Sequence, residues 1–237
     1  MPRLGTFGGG ELTAFGDRVR EIPRHVRSME AAARELADLI FDEFRSEDGA
    51  PECALVRVYK TQAISRLPEE LADFARELAG PVDPETRCLT LLATRGLEPA
   101  WNDRRTSEGH KAIPLPTVEF VERLPMVAGL IQQLGLELEH VVRPEARNVR
   151  DLAQRTYGVF HVEHARGSDV IPAQDFVERY GIVSALGFGG VLYTGDFFAV
   201  VIFARVPIDA AAADTIRILS LATRVALMPF NARVFDD

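Results

Sequence analysis

Residues 180–205 read YGIVSALGFGGVLYTGDFFAVVIFAR. Two apolar runs, Ile182 to Tyr193 and Phe197 to Arg205, flank Thr194-Gly195-Asp196, which has the composition of a turn, and together they predict a β-hairpin. Phe197 to Phe203 is apolar without alternation. A strand with one wet face alternates, so this one must be covered on both faces, as the central strand of a sheet with a layer on each side. In the first strand, Gly187-Phe188-Gly189-Gly190 marks either a bulge or the close approach of another backbone or a ligand. It is not a phosphate cradle, because those glycines lead from a strand into a helix N-terminus, and here a strand continues to the hairpin.

Upstream of the hairpin, Tyr157 to Val162 predicts a strand, and Pro172 to Tyr180 a helix ended by Gly181. Downstream, Asp209 caps a final helix carrying Ile216, Ile218, Leu219, Leu221, Ala222, Val225 and Leu227. That apolar surface is too wide for one contact, so the helix is expected to pack on the sheet and on a second chain. Nearer the N-terminus, Met29, Ala33, Leu36, Ile40 and Phe44 recur at helical spacing after the capping Ser28, with Gly49 as the end. Glu52 to Thr61 and Thr86 to Thr94 predict strands. Between them lies a helix with Pro68 at its first turn, Leu71, Phe74, Ala75 and Leu78 on its buried face, and Gly80-Pro81 as its stop.

Arg95 to Pro116 has no periodicity, and a structureless run of that length inside a compact domain points to a functional loop. Thr117 to Gly135 predicts a kinked helix or two short ones, broken at Pro125, then Leu136 to Val142 an edge strand and Asn148 to Thr156 a short helix. Residues 1–27 mix glycine, arginine and isolated apolar side chains and predict a flexible arm. The domain organisation is thus arm 1–27, domain 28–230 and tail 231–237.

The chain has 237 residues, 47% of them hydrophobic and 26% charged, enough to bury a core. Its formal net charge of −8 argues against general nucleic-acid binding, which needs a positive surface, although a local basic patch remains compatible with it. Lys60 and Lys111 are the only lysines; the other basic residues are arginines, which hold planar anions with two parallel hydrogen bonds. Cys53 and Cys88 form no disulfide framework or metal pair, and each sits in an apolar strand. The glycine-rich start lacks the apolar run of a secretory signal, and no window is apolar enough for a membrane span, so the expected location is cytoplasmic.

The segments Tyr157-Gly158-Val159-Phe160-His161-Val162, Ile171-Pro172-Ala173-Gln174 and Tyr180 to Gly190 with the Gly195-Asp196 turn, in this order of helices and strands, resemble the GAF domain family. Glu98-Pro99-Ala100-Trp101-Asn102-Asp103-Arg104 and Gly109 to Pro116 are similar to the same group, whose bacterial members precede PAS, kinase or cyclase domains. The resemblance runs from Ser28 to Phe230. It implies an α+β fold, a central antiparallel sheet with helices on both sides, and a sensory role. The Asn-Lys…Phe…Asp-Glu signature of cyclic-nucleotide-binding members and the Cys-His pair for bilin attachment are missing, so no ligand carries over and the cofactor is unknown. With no output segment after Phe230, signalling is expected to run through a partner protein.

The long loop gathers Trp101, Asn102, Arg104, Arg105, Ser107 and His110: a stacking plane, an amide, two guanidinium forks, a hydroxyl and an imidazole. Either this set holds an anionic or planar small molecule, or Trp101 anchors the loop while the arginines bond loop carbonyls or water. His161 opens His-Val-Glu-His; on a strand its side chain and that of His164 face opposite sides, which spoils a metal pair and leaves His161 free to face the ligand layer. No metal site and no catalytic residue is expected. The expected function is noncatalytic: a sensory domain, working as a homodimer, with a small-molecule pocket between the sheet and the 95–116 loop. The alternatives are a redox enzyme on the same scaffold, which the buried setting of the cysteines disfavours, and a ligand-free interaction module.

Overall fold

In the computed structural model, which describes residues 2–155 and 157–236, the 180–205 stretch forms the predicted hairpin at the centre of the molecule. Its strands are β5 (Ser184–Val191) and β6 (Phe197–Ala204), joined by a turn in which Gly195 takes φ +82°, a conformation that costs a residue with a Cβ. The other strands are β1 (Cys53–Ala63), β2 (Arg87–Gly96), β3 (Ala112–Leu115) and β4 (Phe160–Val162). They form one antiparallel sheet in the order β3-β2-β1-β6-β5-β4. Every residue of β6 is buried, as its unbroken apolar run requires.

Two layers cover the sheet, so the fold is α+β with helices on both sides of a central antiparallel sheet. One layer consists of α1 (Gly9–Glu21), α2 (Met29–Glu43), α9 (Ala210–Thr215) and α10 (Leu219–Leu227), packed over Val56, Val58, Phe188, Phe198 and Val200. The other consists of α4 (Val118–Glu122), α5 (Pro125–Gln133), α6 (Leu138–Val142), α7 (Ala146–Gln154) and α8 (Gln174–Tyr180), over Leu55, Tyr59, Phe197, Val201 and Phe203. Helix α3 (Glu69–Ala79) packs beside β3 around Leu71, Ala72, Ala75 and Cys88. The expected caps form: the side chains of Ser28 and Asp209 accept from the backbone N–H groups of Ala31 and Ala212, and in the structure Thr117 accepts in the same way from Phe120. Among the described residues no helix is long and apolar enough to cross a membrane.

The largest departure from the sequence reading is at the N-terminus. Residues 1–27 were expected as a flexible arm, but α1 lies on the core, burying Leu12, Phe15, Val19 and Ile22 together with Leu4 and Phe7. Those four recur at steps of three, four and three, a helical stripe diluted in the sequence by glycines and arginines. Phe7 meets Phe15 and Phe44 edge-on at 5.7 and 4.8 Å. Where an edge strand was expected over 136–142, Leu138–Val142 form a helical turn; Leu138, Val141 and Val142 satisfy the i, i+3, i+4 spacing that competes there with period-two alternation. The unpatterned 95–116 segment ends in β3.

Helix α2 stops at Phe44 and not at Gly49, and Leu78 is exposed although it was assigned to a buried face. The final helix is divided, with a 3-10 turn at Ile216–Ile218 between α9 and α10. The predicted 148–156 helix appears as α7; Thr156 and the terminal Met1 and Asp237 lie outside the described residues. The C-terminal tail returns to the start of α2, where the N–H groups of Met29 and Glu30 donate to the carbonyls of Arg233 and Val234.

Because α1 completes the layer over α10, Phe15→Ala is expected to lower unfolding free energy by about 3 kcal/mol, the usual cost of an aromatic cavity. Urea unfolding followed by circular dichroism measures it; an unchanged midpoint would mean that the helix does not contribute to the fold.

Candidate functional site

The loop that leaves β2 at Gly96 binds itself to the core at four separate points. Trp101 is half-buried, with its ring 4.6 Å from Tyr180 and 5.8 Å from Phe176 of α8, and a Cβ at Gly96 would stand 2.7 Å from that indole. Asn102 Oδ1 accepts the Gly96 N–H at 3.0 Å. Arg104 is buried and donates from Nε and Nη2 to the two oxygens of buried Glu30 at 2.8 and 3.2 Å, a two-pronged pair whose guanidinium lies over Phe235. Exposed Arg105 reaches the same carboxylate at 3.4 Å, and the Asp236 N–H donates to it at 3.0 Å. Ser107 is buried and its Oγ accepts from Arg57 Nη2 at 3.1 Å.

These contacts do not converge on one void. His110 is exposed with φ +54°, and His161 stands on β4, at the opposite edge of the sheet from β3. The His161 Nε2 is 2.7 Å from the Ile208 carbonyl oxygen. None of Trp101, Asn102, Arg104, Arg105, Ser107, His110 and His161 lines either of the two clefts described below. Among the described residues no group of three metal-ligating side chains gathers, His161, Glu163 and His164 included.

Two buried cations on β1 were missed by the sequence reading. Arg57 lies under the loop, donating to Tyr59 Oη at 3.3 Å and to Ser107, with Nε unpartnered and no ion pair among the described residues. Lys60 Nζ donates to Asp196 Oδ2 at 2.7 Å and Gln62 Oε1 at 3.2 Å, while Arg87 and Thr194 hold the same aspartate. Burial lowers the Lys60 pKa and the Asp196 carboxylate opposes that shift. The visible signal was charge inside an otherwise apolar strand, Cys53-Ala54-Leu55-Val56-Arg57-Val58-Tyr59-Lys60. Both cysteines are free thiols buried in strands. Desolvation raises both pKa values, that of Cys88 to about 12.

An open space lies elsewhere, bordered by none of these residues. A cleft of about 590 Å³ separates the start of α1 from α10 and from the end of β5. Strand β4 pairs with β5 only at residues 185–187, so Gly189 and Gly190 sit beyond its reach. A Cβ at Gly190 would come within 2.9 Å of the Tyr157 ring, which forms one wall. Tyr157 donates its hydroxyl to the Leu152 carbonyl, and burial pushes its pKa to about 12. Leu12, Ile218 and Leu221 supply apolar wall, and Ser220 and three arginines supply polar groups. The Ser220 Oγ is buried with no hydrogen-bond partner. No sequence signal located this cleft, because its walls come from four separate stretches, represented by Leu12, Arg155 with Tyr157, Gly190 with Phe198, and Ser220 with Leu221. A second cleft, of about 390 Å³, borders α8 at His164 and Glu178.

No family model matches the chain, and no curated protein matches it. Among solved structures, fRMsr of Staphylococcus aureus in its reduced form is similar at TM-score 0.47 and 11% identity, over 94% of this chain and 97% of that one. The GAF domain of an Acinetobacter phosphoenolpyruvate-protein phosphotransferase is similar at TM-score 0.45 and 14% identity, over 97% and 99%.

Two outcomes are expected from this geometry. Native protein at pH 8 should leave Ellman's reagent uncoloured, and both thiols should react once guanidinium is added; a fast native phase would contradict the burial of Cys53 and Cys88. Arg104→Ala should cost about 3 kcal/mol in urea unfolding, because it takes from the buried Glu30 carboxylate its only buried cationic partner and leaves it the exposed Arg34 and Arg105.

Proposed function

We propose that this chain is a noncatalytic regulatory domain that binds a small molecule, and that the ligand occupies the cleft between α1, α10 and β5. The observation that carries this reading is the cleft itself: about 590 Å³, within the range of small-molecule sites, mostly apolar, and containing a buried hydroxyl without a partner. The 95–116 loop is the weaker location, since Arg104, Ser107 and Asn102 are spent on Glu30, Arg57 and Gly96. A thiol-based redox enzyme is disfavoured by two buried cysteines with raised pKa values.

The homodimer belongs to the same proposal. Within the chain, α1 and α2 cover much of α10, yet Ile218, Leu221 and Val225 remain 56%, 49% and 43% exposed on one helical stripe, with exposed Tyr193 nearby in the turn after β5. A second copy seated on this stripe would remove it from water, and ligand in the adjoining cleft would then bear directly on assembly.

Native mass spectrometry of freshly purified protein is expected to show an added mass that disappears on denaturation. Leu221→Trp, which fills the cleft, should lose it while melting normally; bare chain in both proteins would refute the ligand reading. In light scattering the protein is expected at the mass of two chains and Val225→Asp at the mass of one. A wild-type monomer would remove the dimer.

A further inference from the structure

We infer that the ligand of this cleft is a small organic anion, its carboxylate or phosphate held at the α1 end and its apolar body laid against Tyr157, Ile218 and Leu221; this rests on the cleft being the binding site. Three guanidinium groups, from Arg155, Arg217 and Arg224, line the space against the single carboxylate of Asp214. That is a local excess of positive charge on a chain whose formal net charge is −8. Asp214 is 3.3 Å from Arg217, and Arg224 is engaged by the Ala153 carbonyl and lies over the Tyr193 ring. Arg155 has no ion pair among the described residues. The fork of Arg155 is therefore available to an incoming oxyanion.

Two further donors converge on the same space. Helix α1 begins there at Gly9, and its N-cap, Gly8, has no side chain to occupy the first-turn N–H groups, so the positive end of a thirteen-residue helix is left uncapped. Independently, Ser220 lines the cleft, is 9% exposed, and keeps a buried Oγ with no partner. A buried hydroxyl without a hydrogen bond is costly, and an oxyanion within its reach would satisfy it. A helix start, a free guanidinium and an orphaned hydroxyl share one chemistry, that of donors awaiting an anionic acceptor. The rest of the lining includes Leu12, Tyr157, Phe198, Ile218 and Leu221, an apolar surface that selects an organic anion over a bare inorganic one.

The test is calorimetric titration of the full chain with phenyl phosphate, inorganic phosphate and benzyl alcohol. Phenyl phosphate should bind at least about tenfold more tightly than either, and Arg155→Ala combined with Arg217→Ala should weaken it at least about tenfold, the usual weight of charge-assisted hydrogen bonds. Both arginines are solvent-facing and Arg155 bridges nothing, so the double variant should melt like the wild type. Ser220→Ala should weaken phenyl phosphate and leave benzyl alcohol unchanged. If benzyl alcohol binds as well as phenyl phosphate, or the double variant binds phenyl phosphate undiminished, the anion is overturned while the cleft survives as a neutral-ligand site. If none of the three probes binds and Leu221→Trp changes nothing, both inferences fail.

Discussion

Strand β6 has no polar side chain from Phe197 to Ala204, and water cannot be its neighbour on either face. That constraint organises the rest of the molecule. β6 must have strands on both sides, which β1 and β5 supply, and helices above and below, one layer from the middle of the chain and the other from its two ends. One layer is assembled from the segments between β3 and β5, the other from the N-terminal helices and the C-terminal pair. The chain ends therefore have to meet on one face, and they do: backbone groups of 233 and 234 bond to the start of α2.

Polar groups placed inside this apolar frame serve mainly as fasteners. Glu30 receives Arg104 from the loop after β2, Arg105 beside it and a backbone N–H from the C-terminal tail, so one buried carboxylate ties three remote segments together. Lys60, Asp196 and Arg87 do the same at the hairpin turn. Such clusters resist removal of a single partner more than they add stability as a whole, because a lone buried charge is far costlier than a satisfied pair. Arginine-rich loops in this chain thus carry structural load where composition suggested ligand chemistry.

The cleft between α1, α10 and β5 follows from a mismatch of lengths. Strand β4 contributes only three residues, too few to cover the outer edge of an eight-residue β5, and Tyr157 closes only part of the gap beside Gly190. Along the final helix, which passes through a 3-10 turn at Ile216–Ile218, Ser220 and Leu221 line the opening while Ile218, Leu221 and Val225 stay in water. Ile218 and Leu221 both line the cleft and belong to the exposed apolar stripe, so the proposed ligand and the proposed second copy would meet at the same side chains.

What the sequence alone determined was local and periodic: the hairpin with its Gly195 turn, the burial of β6 on both faces, the caps at Ser28 and Asp209, and the break at Pro125. These follow from side-chain period and backbone chemistry within a few residues. Where two periods competed, as at residues 136–142, or where glycines diluted a stripe, as in α1, only packing against the core chose between them. The candidate site was legible as residue types and not as a place. Trp101, Arg104 and Ser107 were visible as binding chemistry, but whether Arg104 meets a ligand or Glu30 depends on a residue 74 positions away. The cleft could not be read at all, since a void is set by what surrounding segments fail to fill, and its walls come from four stretches that adjoin only once the sheet is formed.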